Sequence, residues 1–136
     1  LRRRIDRRGV GHAIHFPGPT KQIGEYYAGS DVFVLPTFYD ACSLVVLEAM
    51  AWGLPAITTE YNGASGVIET GVNGFVISHP PRPEELALRM SALLEEAERR
   101  RMGRDAALSM KGYSLCSNHE RMLRIFDDVA EREHSA

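Results

Sequence analysis

Cysteine is scarce in this chain. Its two residues, Cys42 and Cys116, lie far apart and form neither a CxxC pair nor a disulfide framework. That fits a reducing, intracellular setting. No apolar run approaches the length that spans a bilayer, and no signal peptide is legible. Neither sign of charge dominates: 16 Lys and Arg stand against 18 Asp and Glu, for a net charge of −2. There is no global basic footprint, so nucleic acid is not an expected partner. Internal repeats and low-complexity segments are also lacking. His12, His15, His79, His119 and His134 fall in no metal-ligand spacing, so no metal is expected. No local sequence supports a Ser-His-Asp arrangement.

What is present is one domain's worth of chain, 136 residues, 44% hydrophobic and 25% charged. That is enough to bury a core without disulfides or metals. Short apolar runs alternate with helical stretches. His12–Phe16 reads as a strand, closed by Pro17-Gly18-Pro19. Thr20 is placed to cap a short helix through Tyr27. Asp31–Pro36 is a nearly continuous apolar run, the pattern of a strand buried on both faces. Ser43–Trp52 reads as a helix with Leu44, Leu47, Met50 and Ala51 inward. Gly53 sits at a left-handed C-cap position, with Pro55 after it. Ala56–Thr59 and Phe75–Ile77 are further short strands, separated by the Asn62-Gly63 turn and by a helical turn at Val67–Thr70.

Beyond Pro80-Pro81, Glu84–Arg101 reads as one long amphipathic helix with Leu86, Met90, Leu93 and Leu94 inward. Asp105–Lys111 is a shorter helix and Asn118–Glu131 the last. Strands alternating with helices imply a parallel sheet in one α/β domain. Arginines cluster at Leu1–Arg8 and Arg99–Arg101. Solvated helix faces are the plainer reading, and contact with an anionic membrane surface is the other.

In open α/β sheets ligands bind at the carboxyl ends of the strands. The loop after Pro36 leads into a helix start near Cys42–Leu44, where free N–H groups and the helix dipole favour phosphate. Small residues Ala41, Cys42 and Ser43 allow close approach. The loop has no lysine, so it is not a Walker-type P-loop. Asp40 precedes the helix, and Glu48 sits roughly 7 Å along it at ~1.5 Å per residue. Carboxylates on either side of a phosphate site suit hydroxyl groups, as in ribose, diphosphate and sugar. Taken as spacing alone, an ordinary loop acid and a solvent-facing helix residue explain them better. Cys42 reads as a small residue packed for close approach rather than a nucleophile.

The run Asp40-Ala-Cys-Ser-Leu-Val-Val-Leu-Glu48-Ala-Met-Ala-Trp-Gly-Leu-Pro55 resembles the E-x7-E segment of retaining glycosyltransferases of the GT-B fold, and among them the family 4, or group 1, enzymes. The likeness continues through His15-Phe16-Pro17-Gly18, Tyr27–Pro36, Asn62-Gly63, Gly71–Phe75, Pro83–Leu86 and the tail Tyr113–Phe126. It implies the Rossmann-like C-terminal half of such an enzyme, a parallel sheet with helices on both faces. Asp40 would contact the transferred sugar and Glu48 the ribose. The backbone of Ala41, Cys42, Ser43 and Leu44 would hold the diphosphate. Phe16, Pro17 and Gly18 would lie by the base, and Asn62 and Gly63 by the donor sugar. No cofactor or metal is implied; the donor substrate is a nucleotide diphosphate sugar, and the acceptor is a glycan, a lipid-linked glycan or another acceptor.

Asp40 stands where the family usually has Glu, Gly66 where Glu is frequent, and Trp52 where a small residue is usual, which reads as packing. The family's phosphate-binding Arg and Lys would precede Leu1, and the acceptor-binding half would be a missing N-terminal domain. The expectation is therefore a donor-binding piece, residues 1–136, that does not transfer sugar alone. Residues 113–136 would form a helix crossing to that missing half. The expected setting is cytoplasmic, with peripheral contact at the inner membrane face as the alternative. Two other readings remain open: an epimerase or phosphorylase of the same fold, and a non-enzymatic flavodoxin-like nucleotide-binding module.

Overall fold

The computed structural model describes residues 2–134. Its helices are α1 (Arg2–Arg7), α2 (Ile23–Ala28), α3 (Leu44–Ala51), α4 (Pro83–Ala92), α5 (Glu96–Met110) and α6 (Leu115–His134). Its strands are β1 (Phe33–Leu35), β2 (Ala56–Thr59) and β3 (Gly74–Ile77). They form a parallel sheet in the order β1-β2-β3, with Val34 opposite Ile57 and Ile57 opposite Phe75.

Alternation along the strands builds a core on each face. On one side Phe33, Leu35, Ala56 and Val76 pack with Val46 and Met50 of α3 and with Ala106 and Met110 of α5. On the other, Val32, Val34, Ile57, Phe75 and Ile77 pack with Leu86 of α4, Leu93 and Met102. All of β2 is buried because it has a strand on either side. Its threonines point their hydroxyls back to the neighbouring chain: Thr58 Oγ1 donates to Leu35 O at 2.8 Å and Thr59 Oγ1 to Thr37 O at 2.6 Å. Both buried hydroxyls of β2 are thereby paired.

The α3 terminus takes the expected left-handed cap. Gly53 has φ +81°, its N–H donates to Met50 O at 2.9 Å, and Leu54 N–H donates to Ala49 O at 3.0 Å. These are the paired bonds of a Schellman motif, and Leu54 packs beside Ala49 as that motif favours. Glycine is needed again where α5 crosses this turn. A Cβ on Gly103 would stand 2.2 Å from Gly53 O.

Several expectations are corrected. His12–Phe16 is not a strand. A 3-10 turn at Gly11–Ala13 leads into exposed chain, because among the described residues no strand lies beside it to complete its hydrogen bonds. β1 is half-buried rather than buried on both faces, since it is an edge strand. The inward face of α3 is Val46, Ala49 and Met50; Leu44 is 66% exposed and Ala51 is exposed. The helical turn comes earlier, as a 3-10 segment at Gly63–Val67.

The long helix foreseen over Glu84–Arg101 is broken at Leu93–Glu95, and its second part absorbs Asp105 and runs to Met110. Leu93 turns into the core, while Met90 and Leu94 face outward. The carbonyls freed at the break are taken by Arg99, whose Nη1 donates to Leu93 O at 3.0 Å and Leu94 O at 3.3 Å. The last helix begins at Leu115, ahead of the expected Asn118, and carries an exposed apolar face with Met122, Ile125, Phe126 and Val129. No helix among the described residues is long and apolar enough to cross a membrane.

Candidate functional site

The loops that leave the carboxyl ends of β1 and β2 meet. Asp40 N–H donates to Tyr61 O at 3.1 Å, and Gly63 N–H returns a bond to Asp40 O at 2.9 Å. The two chains run so close that a Cβ on Gly63 would lie 1.8 Å from Ala41 O. Only glycine permits that approach.

Asn62 fastens the junction from below. Its side chain is fully buried, and all of its polar atoms are used. Oδ1 accepts from Ser43 N–H at 3.2 Å and from Ala64 N–H at 3.0 Å, while Nδ2 donates to Thr58 Oγ1 at 2.9 Å. The amide thus ties β2, the following 3-10 turn and the start of α3 into one unit. The sequence marked Asn62 as a turn residue near a sugar; its side chain is a fastener. The backbone N–H groups of Asn62 and Gly63 are also engaged, with Thr59 O and Asp40 O.

Asp40 closes the N-terminal end of α3. One carboxylate oxygen accepts from Cys42 N–H at 3.1 Å, and the other accepts from the Ser43 hydroxyl. An ionised carboxylate has about four lone-pair sites, so both oxygens can still accept from a ligand hydroxyl. With the amides of Cys42 and Ser43 occupied, those of Leu44 and Val45 come next. They lie in the first turn, where a helix has no acceptors of its own. Cys42 and Leu44 are exposed here and line one wall of a cleft of about 330 Å³, opposite Tyr113, Leu115, Asn118 and Arg121.

Glu48 sits on the exposed side of α3, held by a buried partner. Tyr27, only 4% exposed, donates its hydroxyl to Glu48 Oε2 at 3.0 Å. Burial, the hydrogen bond and the nearby carboxylate charge push the Tyr27 phenol up to about 12. The tyrosine is itself braced edge-on by Phe33, at 6.2 Å between ring centroids, and flanked by Trp52 at 6.4 Å. Trp52 covers Gly24 of α2, where a Cβ would meet the indole at 3.2 Å, and is otherwise 57% exposed. Its contacts are with Gly24 and Tyr27. The spacing of residues gave no sign that Tyr27 would reach Glu48, because the contact joins two elements across a strand.

Phe16, Pro17 and Gly18 lie on exposed chain, and the Phe16 ring carries the Arg2 guanidinium at 5.1 Å. No hydrogen bond joins these three residues to the loop after β1 among the described residues. The arginine clusters separate in character. Those of α1 are exposed, whereas Arg99, Arg100 and Arg101 are paired with Asp31, Glu96 and the couple Glu98 and Asp105. Among the described residues no group of three or more His, Cys, Asp and Glu gathers to hold a metal ion.

Residues 1–110 match the family described as glycosyl transferases group 1. The spore coat protein SA of Bacillus subtilis (strain 168) is 41% identical over 93 residues, 67% of this chain and 24% of that protein. The D-inositol 3-phosphate glycosyltransferase of Corynebacterium glutamicum (strain R) is 28% identical over 130 residues, 93% of this chain and 31% of the relative. Among solved structures, Anabaena Alr3699/HepE in complex with UDP and glucose superposes with a TM-score of 0.82. It is 22% identical, over 93% of this chain and 35% of that one, which shows a shared fold. The chain therefore spans about a quarter to a third of the length of these proteins.

Proposed function

The chain belongs to the group 1 glycosyl transferases, and on that premise we propose that it is the donor-binding part of a retaining hexosyltransferase using a nucleotide diphosphate sugar. The observation that carries this reading is the pair of restrained carboxylates around one helix start. Tyr27 holds Glu48 on one side, and Cys42 and Ser43 hold Asp40 on the other. In this reading Glu48 receives the ribose hydroxyls and Asp40 the hydroxyls of the sugar. The first-turn amides of α3 and its dipole face the diphosphate. Phe16, Pro17 and Gly18 lie towards the base. The HepE structure holds UDP and glucose in the same fold, which supports a donor of this class.

In the reaction the acceptor hydroxyl oxygen bonds to the anomeric carbon as the bond to the phosphate oxygen breaks; the electron pair of that bond leaves with the diphosphate, whose departing oxygen takes the hydroxyl proton. Fixed dipoles aimed at that leaving charge lower the barrier without reorganising. The acceptor is a glycan, a lipid-linked glycan or another hydroxyl compound, bound largely by parts of the enzyme outside this chain. The chain by itself binds donor and does not transfer sugar.

The test is thermal unfolding of the chain with UDP, GDP and ADP in turn. Binding to the native state alone raises stability by about 2.7 kcal/mol at a hundredfold excess over Kd. One nucleotide is expected to raise Tm; a folded sample indifferent to all three overturns the reading.

A further inference from the structure

A second feature stands at the same edge of the sheet. The loop beyond the carboxyl end of each strand carries an aromatic side chain that turns to the same edge: Phe38 after β1, Tyr61 after β2 and His79 after β3. The three rings meet. His79 is packed edge-to-face between the other two, 4.4 Å from Tyr61 and 5.6 Å from Phe38 between centroids. Phe38 remains 68% exposed and Tyr61 54%.

The group is also built to stay in place. The His79 amide donates to Glu60 Oε1 at 3.0 Å, which ties the loop after β3 to the loop after β2. The Tyr61 carbonyl receives the Asp40 amide, so the aromatic group is continuous in backbone with the acid of the proposed sugar site. One polar atom inside it is unsatisfied: His79 Nδ1 is buried and has no hydrogen-bond partner.

We propose that Phe38, Tyr61 and His79 form a pyranose-binding platform that receives a sugar ring of the acceptor beside Asp40. The proposal rests on the donor-binding reading for the word acceptor, but the platform's affinity for sugar does not. A pyranose has a face of C–H groups carrying slight positive charge, and that face packs on the negative face of an aromatic ring. Its rim of hydroxyls needs acceptors and donors. The Glu60 carboxylate, which keeps one oxygen beyond its bond to His79, supplies an acceptor here. A mixed surface of rings, one acid and one imidazole suits a sugar better than a purely apolar partner, which would strand those polar groups. It also suits a sugar better than a nucleotide phosphate, because Glu60 would repel the anion.

The experiment uses the chain itself and single sugars: methyl α-glucopyranoside, methyl α-galactopyranoside and N-acetylglucosamine, each read by saturation-transfer NMR. Irradiation of the aromatic protons should transfer to the C–H groups of at least one sugar. Phe38→Ala and Tyr61→Ala should each weaken that transfer severalfold, and the double variant should abolish it. Both side chains are exposed, so the variants should keep the wild-type Tm and nucleotide response. Transfer undiminished in the double variant, or no transfer from any of the three sugars, overturns the platform. A nucleotide shift that persists while sugar transfer fails leaves the donor reading standing without the platform. Sugar transfer without any nucleotide shift does the reverse.

Discussion

The hydroxyl of Tyr27 donates to Glu48 Oε2 at 3.0 Å, joining a residue buried between α2 and β1 to an exposed carboxylate on α3. The bond restricts one oxygen of Glu48 and leaves the other to meet a ligand. It also sets a pH signature. The phenol lies at about 12 in the folded chain, above its ordinary value of 10.0. The folded state therefore holds this proton more tightly than the unfolded state. Its contribution is complete below pH 10 and is lost as pH rises through 12. Urea unfolding across that range should show Tyr27→Phe losing less stability than the parent, by on the order of 2–3 kcal/mol. Parallel curves for the two proteins would argue against this linkage.

Replacing Glu48 with Gln keeps the size of the side chain and removes the charge. The nucleotide-induced rise in Tm should disappear, whereas the unliganded protein should melt within about 0.5 kcal/mol of the parent, as expected at an exposed position. A retained shift would remove Glu48 from the ribose role.

Asn62→Ala strands the amides of Ser43 and Ala64 in a buried site and removes one of the two partners of the Thr58 hydroxyl. A loss of about 2–4 kcal/mol is expected by urea titration, since each unpaired buried group costs about 1–3 kcal/mol. Nucleotide binding should weaken with it, because the start of α3 loses its anchor. A loss below about 1 kcal/mol would mean that water replaces the amide.

Gly103→Ala tests the crossing of α5 over the α3 cap. The new methyl would stand 2.2 Å from Gly53 O, against backbone that cannot rotate away. Destabilisation of about 1–3 kcal/mol or more is expected from such overpacking, although alanine favours a helix by roughly 1 kcal/mol over glycine. An unchanged or raised Tm would show that the two segments separate easily.

Cys42 and Cys116 are both exposed and both free. Each should react with a thiol reagent in the folded protein, and UDP should slow the reaction of Cys42 if the diphosphate lies over the α3 start. Cys116, on α6, serves as the internal control. Equal rates with and without nucleotide would place the ligand elsewhere.

Much of the architecture follows from local sequence. The apolar runs at Val32–Leu35, Ala56–Thr59 and Phe75–Ile77 are short and β-prone, and a strand pattern needs no distant partner to be read. Gly53 after an apolar helix, followed by Pro55, leads to the observed cap because only glycine takes that φ without strain. The order and spacing of Asp40, Glu48 and Asn62-Gly63 are likewise linear facts, but spacing alone favours an ordinary loop acid and a solvent-facing helix residue; the likeness of the whole surrounding run to a known family is what singled out the candidate site.

Tertiary structure decided what those residues touch. A strand needs a neighbour, and among the described residues none lies beside His12–Phe16, which, apolar enough by itself, forms no strand. A helix break depends on what receives its freed carbonyls, and Arg99 does so only because the fold brings it back against Leu93. Tyr27 reaching Glu48, Asn62 bonding to Ser43, and Phe38, Tyr61 and His79 meeting at one edge all join residues from separate elements. Sequence determined which chemistry this chain carries and in what order. Packing of the sheet against its helices decided which groups are buried, which are already spent on one another, and which remain to meet a ligand.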